Sequence, residues 1–211
     1  MKVGIGIITA GVRGIREDYK KHTTNGEIFI YTDKERRGPG HARNQVLKYF
    51  EGFDHIFLFD DDCYPTLQGW ENYFIDFAVK HSIDYMCLPE VFKTGLVSTE
   101  GELTRWDGGL GAFTYLSNKG LKTIGGYNKN YKRYGLEDVA YRFRAQRAGL
   151  TGALDSFAFP LRGLAYIHSM DVFAENPTPN MSNTDKRLSV SINQPIYNQE
   201  MASDQLYYDY T

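Results

Sequence analysis

The sequence predicts an α/β domain with a mostly parallel central sheet flanked by helices and a small antiparallel portion. Two observations predict it. Short apolar runs at residues 3–8 (VGIGII), 27–32 (EIFIYT), 55–59 (HIFLF) and 84–88 (DYMCL) alternate with amphipathic stretches. That alternation is what strand–helix–strand units of a parallel sheet require. The length of 211 residues, with 42% hydrophobic and 15% aromatic residues, is enough for one full core.

The elements follow in order. After the first strand and the strand at 27–32, a helical pattern spans 41–50. The strand at 55–59 leads to a second helical pattern at 67–81, where Trp70, Phe74, Phe77 and Ala78 recur at three- and four-residue steps. The run at 84–88 closes the first half. Beyond residue 90 the spacing predicts strands near 91–98 and 111–117, glycine turns at Gly108-Gly109 and Gly125-Gly126, and a helix over 137–148. Residues 1–175 are read as one domain. From 176 the chain turns polar and rich in Pro and Asn, and its last residues, DQLYYDYT, show no period. Residues 176–211 are therefore expected to form a loosely packed tail or lid.

Composition narrows the setting. No apolar run is long enough to span a membrane, and the first residues lack the pattern of a secretory signal, so no membrane anchor is expected. Two cysteines, Cys63 and Cys87, are too few for a disulfide framework, which fits a reducing cytoplasm, bacterial or in a phage-infected host. The net charge of −2 gives no global pull on nucleic acid, although Lys20, Lys21, Arg36, Arg37 and Arg43 make the first quarter locally basic.

Four motifs carry candidate chemistry. Asp60-Asp61-Asp62 follows the apolar run at 55–59. Alternate residues of a strand share a face, so Asp60 and Asp62 converge while Asp61 points away, and their hard oxygens suit Mg²⁺ or Mn²⁺ together with substrate phosphates. The bland alternative is a polar strand end before Pro65. GPGHARN (38–44) places two glycines at a helix start, where free N–H groups favour an anion and Arg43 lies on the first turn; a plain turn explains it equally. Glu137 and Asp138 open a helix with Arg142 four residues after Asp138, a pattern that serves either helix electrostatics or a general base beside a hydroxyl acceptor. His168 follows an apolar run and is either a packed side chain or a third ligand for Mn²⁺.

The order of these pieces resembles the GT-A (Rossmann-like) glycosyltransferases of the family-2-like kind. The shared pieces are a first strand, an "ARN" helix, an apolar strand running into Asp60-Asp61-Asp62, a Gly-Gly turn, a Gly-x-Glu-Asp helix and a late His. In the second half, WDGGLGAFTYLSNKGLKTIGGYNKNYKRYGLEDVAYRFRAQRAGL (106–150) and HSMDVFAENPTPN (168–180) are similar to the β-1,4-galactosyltransferase group.

The resemblance implies a nucleotide-sugar half over about 1–90, an acceptor half over 91–175, and transfer from a UDP-sugar to a hydroxyl with Mn²⁺ or Mg²⁺. It implies that Asp62 binds the metal, with Asp60 near the ribose or the metal and His168 completing the ligands. Asp138 becomes the general base of an inverting reaction, and Glu137 orients acceptor or donor sugar. Thr9, Arg13 and Asp33 fall where the family holds base and ribose, with Arg43 and Asp61 beside the donor. Trp106, Gly108 and Gly109 fall near sugar and acceptor. Ala165 stands where the group has a methionine ligand, TAGVRG replaces the usual Pro-containing turn, and no Trp-Gly-Trp run precedes the acids, so galactose does not carry over as donor.

The acceptor implied is a glycan, a protein, a small molecule or DNA carrying a hydroxymethylated base. For DNA, Lys20, Lys21, Arg36, Arg37, Lys129, Lys132 and Arg133 are candidate phosphate contacts. A non-catalytic nucleotide-sugar or glycan-binding module and a metal-dependent nucleotidyltransferase are the rival readings.

Overall fold

The computed structural model describes residues 1–175 and 181–211. The chain runs β1 (Val3–Thr9), α1 (Asp18–His22), β2 (Glu27–Thr32), α2 (Pro39–Tyr49), β3 (His55–Asp60), β4 (Cys63–Pro65), α3 (Trp70–His81) and β5 (Tyr85–Leu88). It continues through β6 (Leu96–Glu100), β7 (Leu103–Trp106), β8 (Leu110–Ser117), α4 (Asn118–Ile124), α5 (Glu137–Arg147), β9 (Phe157–Pro160), α6 (Gly163–Tyr166), β10 (Ile167–Ser169) and α7 (Asn183–Met201).

The central sheet has the order β2-β1-β3-β8-β5. β1 pairs in parallel with β2 and β3, and β8 is inserted antiparallel between β3 and β5. Four of the five strands therefore run one way, as the sequence pattern predicts. The period of two sorts each strand between two cores. Val3, Ile5, Ile7, Phe57 and Phe59 face the core with Trp70, Phe74 and Phe113, whereas Ile8, Ile56 and Leu58 face the core with Val46, Phe50 and Leu116. Gly4 lies on the second face, where a Cβ would come within 2.6 Å of the Phe50 ring; its absence lets α2 lie directly on the sheet.

Register fixes where the strands end. Ile8 pairs with Asp60 and Thr9 with Thr32, so β1, β2 and β3 finish together and their carboxyl ends form one edge. Ligands of open α/β sheets bind at such an edge. Two antiparallel patches complete the molecule, β6-β7-β9 and β4-β10.

Two expectations change. The strand expected near 91–98 begins only at Leu96, because Glu90 O accepts the amides of Lys93 and Thr94 and closes a turn first. The segment expected as a loosely packed tail or lid contains the 19-residue helix α7, three of whose residues line a cleft at the carboxyl edge of the sheet. Residues 176–180, which include the end of the 168–180 stretch, lie outside the described residues. Beyond α7 the chain packs back: Gly126 N donates to Tyr208 O at 2.7 Å, and Tyr210 is buried. Arg144 ties this together, with its Nε 2.8 Å from a Glu200 carboxylate oxygen and its guanidinium donating to Ile124 O, Gly126 O and Leu206 O. The polar face of α7 hid this packing, since its buried positions are Ser189, Asn193 and Glu200 rather than apolar residues.

Candidate active site

A cleft of about 690 Å³ opens at the carboxyl edge of β1 and β3 and is closed from the other side by the start of α5 and by α7. Asp60, Asp61 and Asp62 enter it from the end of β3, and Glu137 and Asp138 from α5.

The first acidic group is held by two arginines. Arg13 Nη1 lies 2.5 Å from Asp61 Oδ1 and 2.7 Å from Asp62 Oδ2. Thr9 Oγ1 donates to Asp61 Oδ2 at 2.5 Å and accepts from Gly11 N at 2.9 Å. Arg43, fully buried, reaches Asp60 Oδ1 at 2.5 Å and Gly111 O at 3.0 Å through Nη2, and Glu137 Oε1 at 3.5 Å through Nη1. It thereby joins α2, β3, β8 and α5 at one point. Arg43 was expected at the helix start as an anion contact; the structure pairs it with two acids, Asp60 and Glu137, at the cleft wall. The open helix start is used locally, where Gly38 N donates to Asp33 Oδ2 at 2.7 Å.

The cluster carries more negative than positive charge, and burial adds to the cost of holding it. Burial, outweighing the attraction of Arg43 and aided by Asp62 and Asp138, pushes Asp60 up to about 7. A third of its side chain, 33%, still faces the cleft, so solvent moderates that rise and the upward direction is what matters. Arg43 is also pushed up: burial opposes its charge, but Asp60, Tyr127 and Glu137 outweigh it. The two directions agree physically, because one guanidinium cannot neutralise all the acids around it. Glu137 is raised by burial and then by Asp138, and Asp62 by burial and then by Asp171.

Asp138 is placed differently. Its Oδ2 accepts Gly111 N at 3.2 Å, and a Cβ at Gly111 would come within 2.7 Å of Asp138 Cβ, so only glycine admits this approach. Arg142, four residues on, donates to Gly109 O. The i,i+4 pairing that would have explained Asp138 as a helix surface charge is not made. Its carboxylate is left lining the cleft.

The loop before α5 is strained. Arg133 and Leu136 adopt φ of 42° and 74°, a region unfavourable for residues with a Cβ. α7 holds it there: Asn193 Nδ2 donates to Lys132 O, Tyr134 O and Gly135 O, its Oδ1 accepts Lys132 N at 2.8 Å, and Ser189 Oγ accepts Tyr134 N at 2.9 Å.

Of the sequence-derived candidates, Thr9, Arg13, Asp33, Arg43, Asp60, Asp61, Asp62, Glu137 and Asp138 all line the cleft. Trp106, Gly108 and Gly109 do not; Leu110, Gly111 and Ala112 line it in their place. Trp106 Nε1 donates to Thr104 Oγ1 at 2.9 Å, and Gly109 packs where a Cβ would meet Cys87 Sγ and Leu88 O at 2.7 Å. His168 is also outside the lining. It pairs across the β4-β10 ladder with Tyr64, stacks on Phe173, and its Nε2 lies 3.0 Å from Glu175 Oε1. Asp171 and Glu175 line the cleft instead, as do Asp185 and Lys186 of α7. Asp171 had a signal, three residues after His168 in HSMD. The residues from α7 had none.

Among the described residues no three His, Cys, Asp or Glu side chains gather closely enough to hold a metal alone. The donor chemistry still fits a hard cation in part. Asp62 and Asp171 repel one another at the cleft wall, and both offer the carboxylate oxygens that Mg²⁺ and Mn²⁺ prefer. Such ions commonly complete their shell with substrate phosphate and water.

No family model matches the sequence, and no curated protein does. Solved structures do match the fold. The chain superposes on GalNAc-T7, crystallised with UDP, GalNAc and Mn²⁺, with a TM-score of 0.54 and 10% identity over 95% of this chain and 50% of that one. It thus spans half the length of that protein. It superposes on residues 1–349 of S. aureus TarS in complex with UDP with a TM-score of 0.52 and 15% identity, over 97% of this chain and 73% of that one. At these identities the likeness establishes architecture alone: the chain has the mixed α/β GT-A fold of glycosyltransferases.

Proposed function

We propose that this cleft transfers a sugar from a nucleotide-sugar, a UDP-sugar by preference, to a hydroxyl acceptor. The observation that supports it is the meeting of Asp60-Asp61-Asp62 with Glu137 and Asp138 across one cleft at the carboxyl edge of the sheet. A simple binding module has no use for a second carboxylate kept open opposite the first group. The nearer affinity to the β-1,4-galactosyltransferase group rests on the motifs at 106–150 and 168–180.

In this reading Thr9, Arg13 and Asp33 hold base and ribose at the ends of β1 and β2, and Asp60 and Asp61 stand beside the donor. Asp62 and Asp171 hold Mn²⁺ or Mg²⁺, which supplies charge neutralisation for the leaving diphosphate. Asp138 accepts the acceptor hydroxyl proton as the oxygen attacks the anomeric carbon and the bond from that carbon to the phosphate oxygen breaks. The configuration inverts, UDP leaves, and the proton passes to solvent. Glu137, tethered to Arg43, orients the sugar.

The experiment is release of nucleotide and free sugar from a panel of UDP-, GDP- and dTDP-sugars, with Mn²⁺ and with EDTA. Metal-dependent release from a UDP-sugar is expected. Neither binding nor release of any nucleotide-sugar would overturn the proposal in favour of a module of another kind.

A further inference from the structure

A second cavity, of about 670 Å³, lies beside the cleft and shares Arg36 and Arg133 with it. Arg37, His41, Lys129 and Lys132 also line it. Lys129 is engaged, 3.4 Å from Asp209 Oδ2 and donating to Thr211 O at 2.5 Å. Arg36, Arg37, Lys132 and Arg133 are exposed, and among the described residues no carboxylate lies within ion-pair distance of any of them. Glu35 also lines the cavity, and Asp209 is engaged by Lys129. In a chain of net charge −2 this gathering of unpaired cations is not a reflection of composition.

Backbone geometry maintains it. Arg36 and Arg133 both sit at left-handed φ, 55° and 42°. The loops that carry them touch at Gly38, φ 113°, where a side chain would collide with Arg133 O. Two loops are thus pressed together with like charges facing one space. Repulsion of that kind costs stability and is relieved by an anion. Three of the four side chains are arginines, whose planar fork matches phosphate oxygens two at a time. Lys20 and Lys21, grouped with them by sequence, lie on α1 and line neither cavity.

We propose that the acceptor is a phosphodiester-linked polymer whose backbone phosphates occupy this second cavity while its hydroxyl-bearing unit enters the cleft. The inference rests on the nucleotide-sugar reading of the cleft and names its acceptor class. Arg36 and Arg133, common to both cavities, mark where the chain passes from one to the other.

The test is fluorescence anisotropy with the full chain at 50–200 mM NaCl. The probes are a single-stranded oligodeoxynucleotide, a glycerol-phosphate oligomer and poly-glutamate of equal charge; Arg37→Ala/Lys132→Ala is run in parallel. Either phosphodiester probe should bind more tightly than poly-glutamate, and the tighter one identifies the source. The double variant should weaken that binding about tenfold and reduce the slope of log affinity against log salt by about 1.4 to 1.8, as expected for two lost phosphate contacts. Its affinity for UDP should not change. Equal binding of poly-glutamate, no phosphodiester binding, or an unaltered double variant would overturn the proposal. Failure of UDP to bind wild type, with polymer binding intact, would sink the donor reading instead.

Discussion

On one side of the cleft, Asp60, Asp61 and Asp62 emerge from β3, a strand paired along both edges. On the other, Glu137 and Asp138 follow a strained loop whose shape is imposed by Asn193 and Ser189, more than fifty residues later in the chain. The first group is therefore placed by sheet register, the second by a tertiary brace. The first is accordingly vulnerable through its charges, the second through hydrogen bonds remote from the chemistry.

The largest effect should come from the open carboxylate of the second wall. Asp138→Asn should lower turnover roughly a hundredfold or more, as expected for losing a general base, while UDP-sugar affinity by calorimetry stays unchanged. Full activity in that variant would leave the second wall without a catalytic role.

Next comes the brace itself. Asn193→Ala leaves several backbone groups of 132–135 without their partner and should cost about 2–4 kcal/mol in chemical denaturation. Among molecules that remain folded, turnover should fall while KM for the donor holds. If donor affinity falls equally, the brace serves the whole fold and the contrast between the walls disappears.

The cation divides the walls more finely. Asp171→Asn should weaken Mn²⁺ binding, read by electron paramagnetic resonance in the presence of UDP, about tenfold. His168→Ala should leave it within about twofold, because the imidazole is occupied by Glu175. The opposite order would restore His168 as the ligand that the family pattern implies.

The smallest effect concerns pH. Glu137 holds its proton more tightly in the folded chain than in the unfolded one, where it titrates near 4.5. The folded state therefore loses stability as pH rises from there through about 7. Glu137→Gln removes that loss and should raise stability relative to wild type at pH 8, with the gain shrinking to nothing below pH 5. A pH-independent difference would mean that Glu137 is not strained by its neighbours.

The contrast also explains what the sequence could and could not disclose. β1, β2, β3 and β5 and the helices on them are written as local periods, and the acid-rich strand end is contiguous, so that wall was legible. Asp138 was legible as a residue type but not as an open carboxylate, since its release from Arg142 depends on Gly109 O. Arg43 read as a helix-start cation because nothing local reveals that Asp60 and Glu137 converge on it. The contribution of α7 was invisible, because its buried face is Ser189, Asn193 and Glu200, and hydrophobic periodicity does not register a helix held by polar contacts.

Metal-supported donor binding in the cleft is tested by a calorimetric titration of UDP, with Mn²⁺, into wild type and Asp62→Ala. Wild type should bind UDP one-to-one, with affinity at least tenfold weaker in the variant and in EDTA. Equal UDP affinity in both proteins, or no UDP binding to wild type, would contradict it.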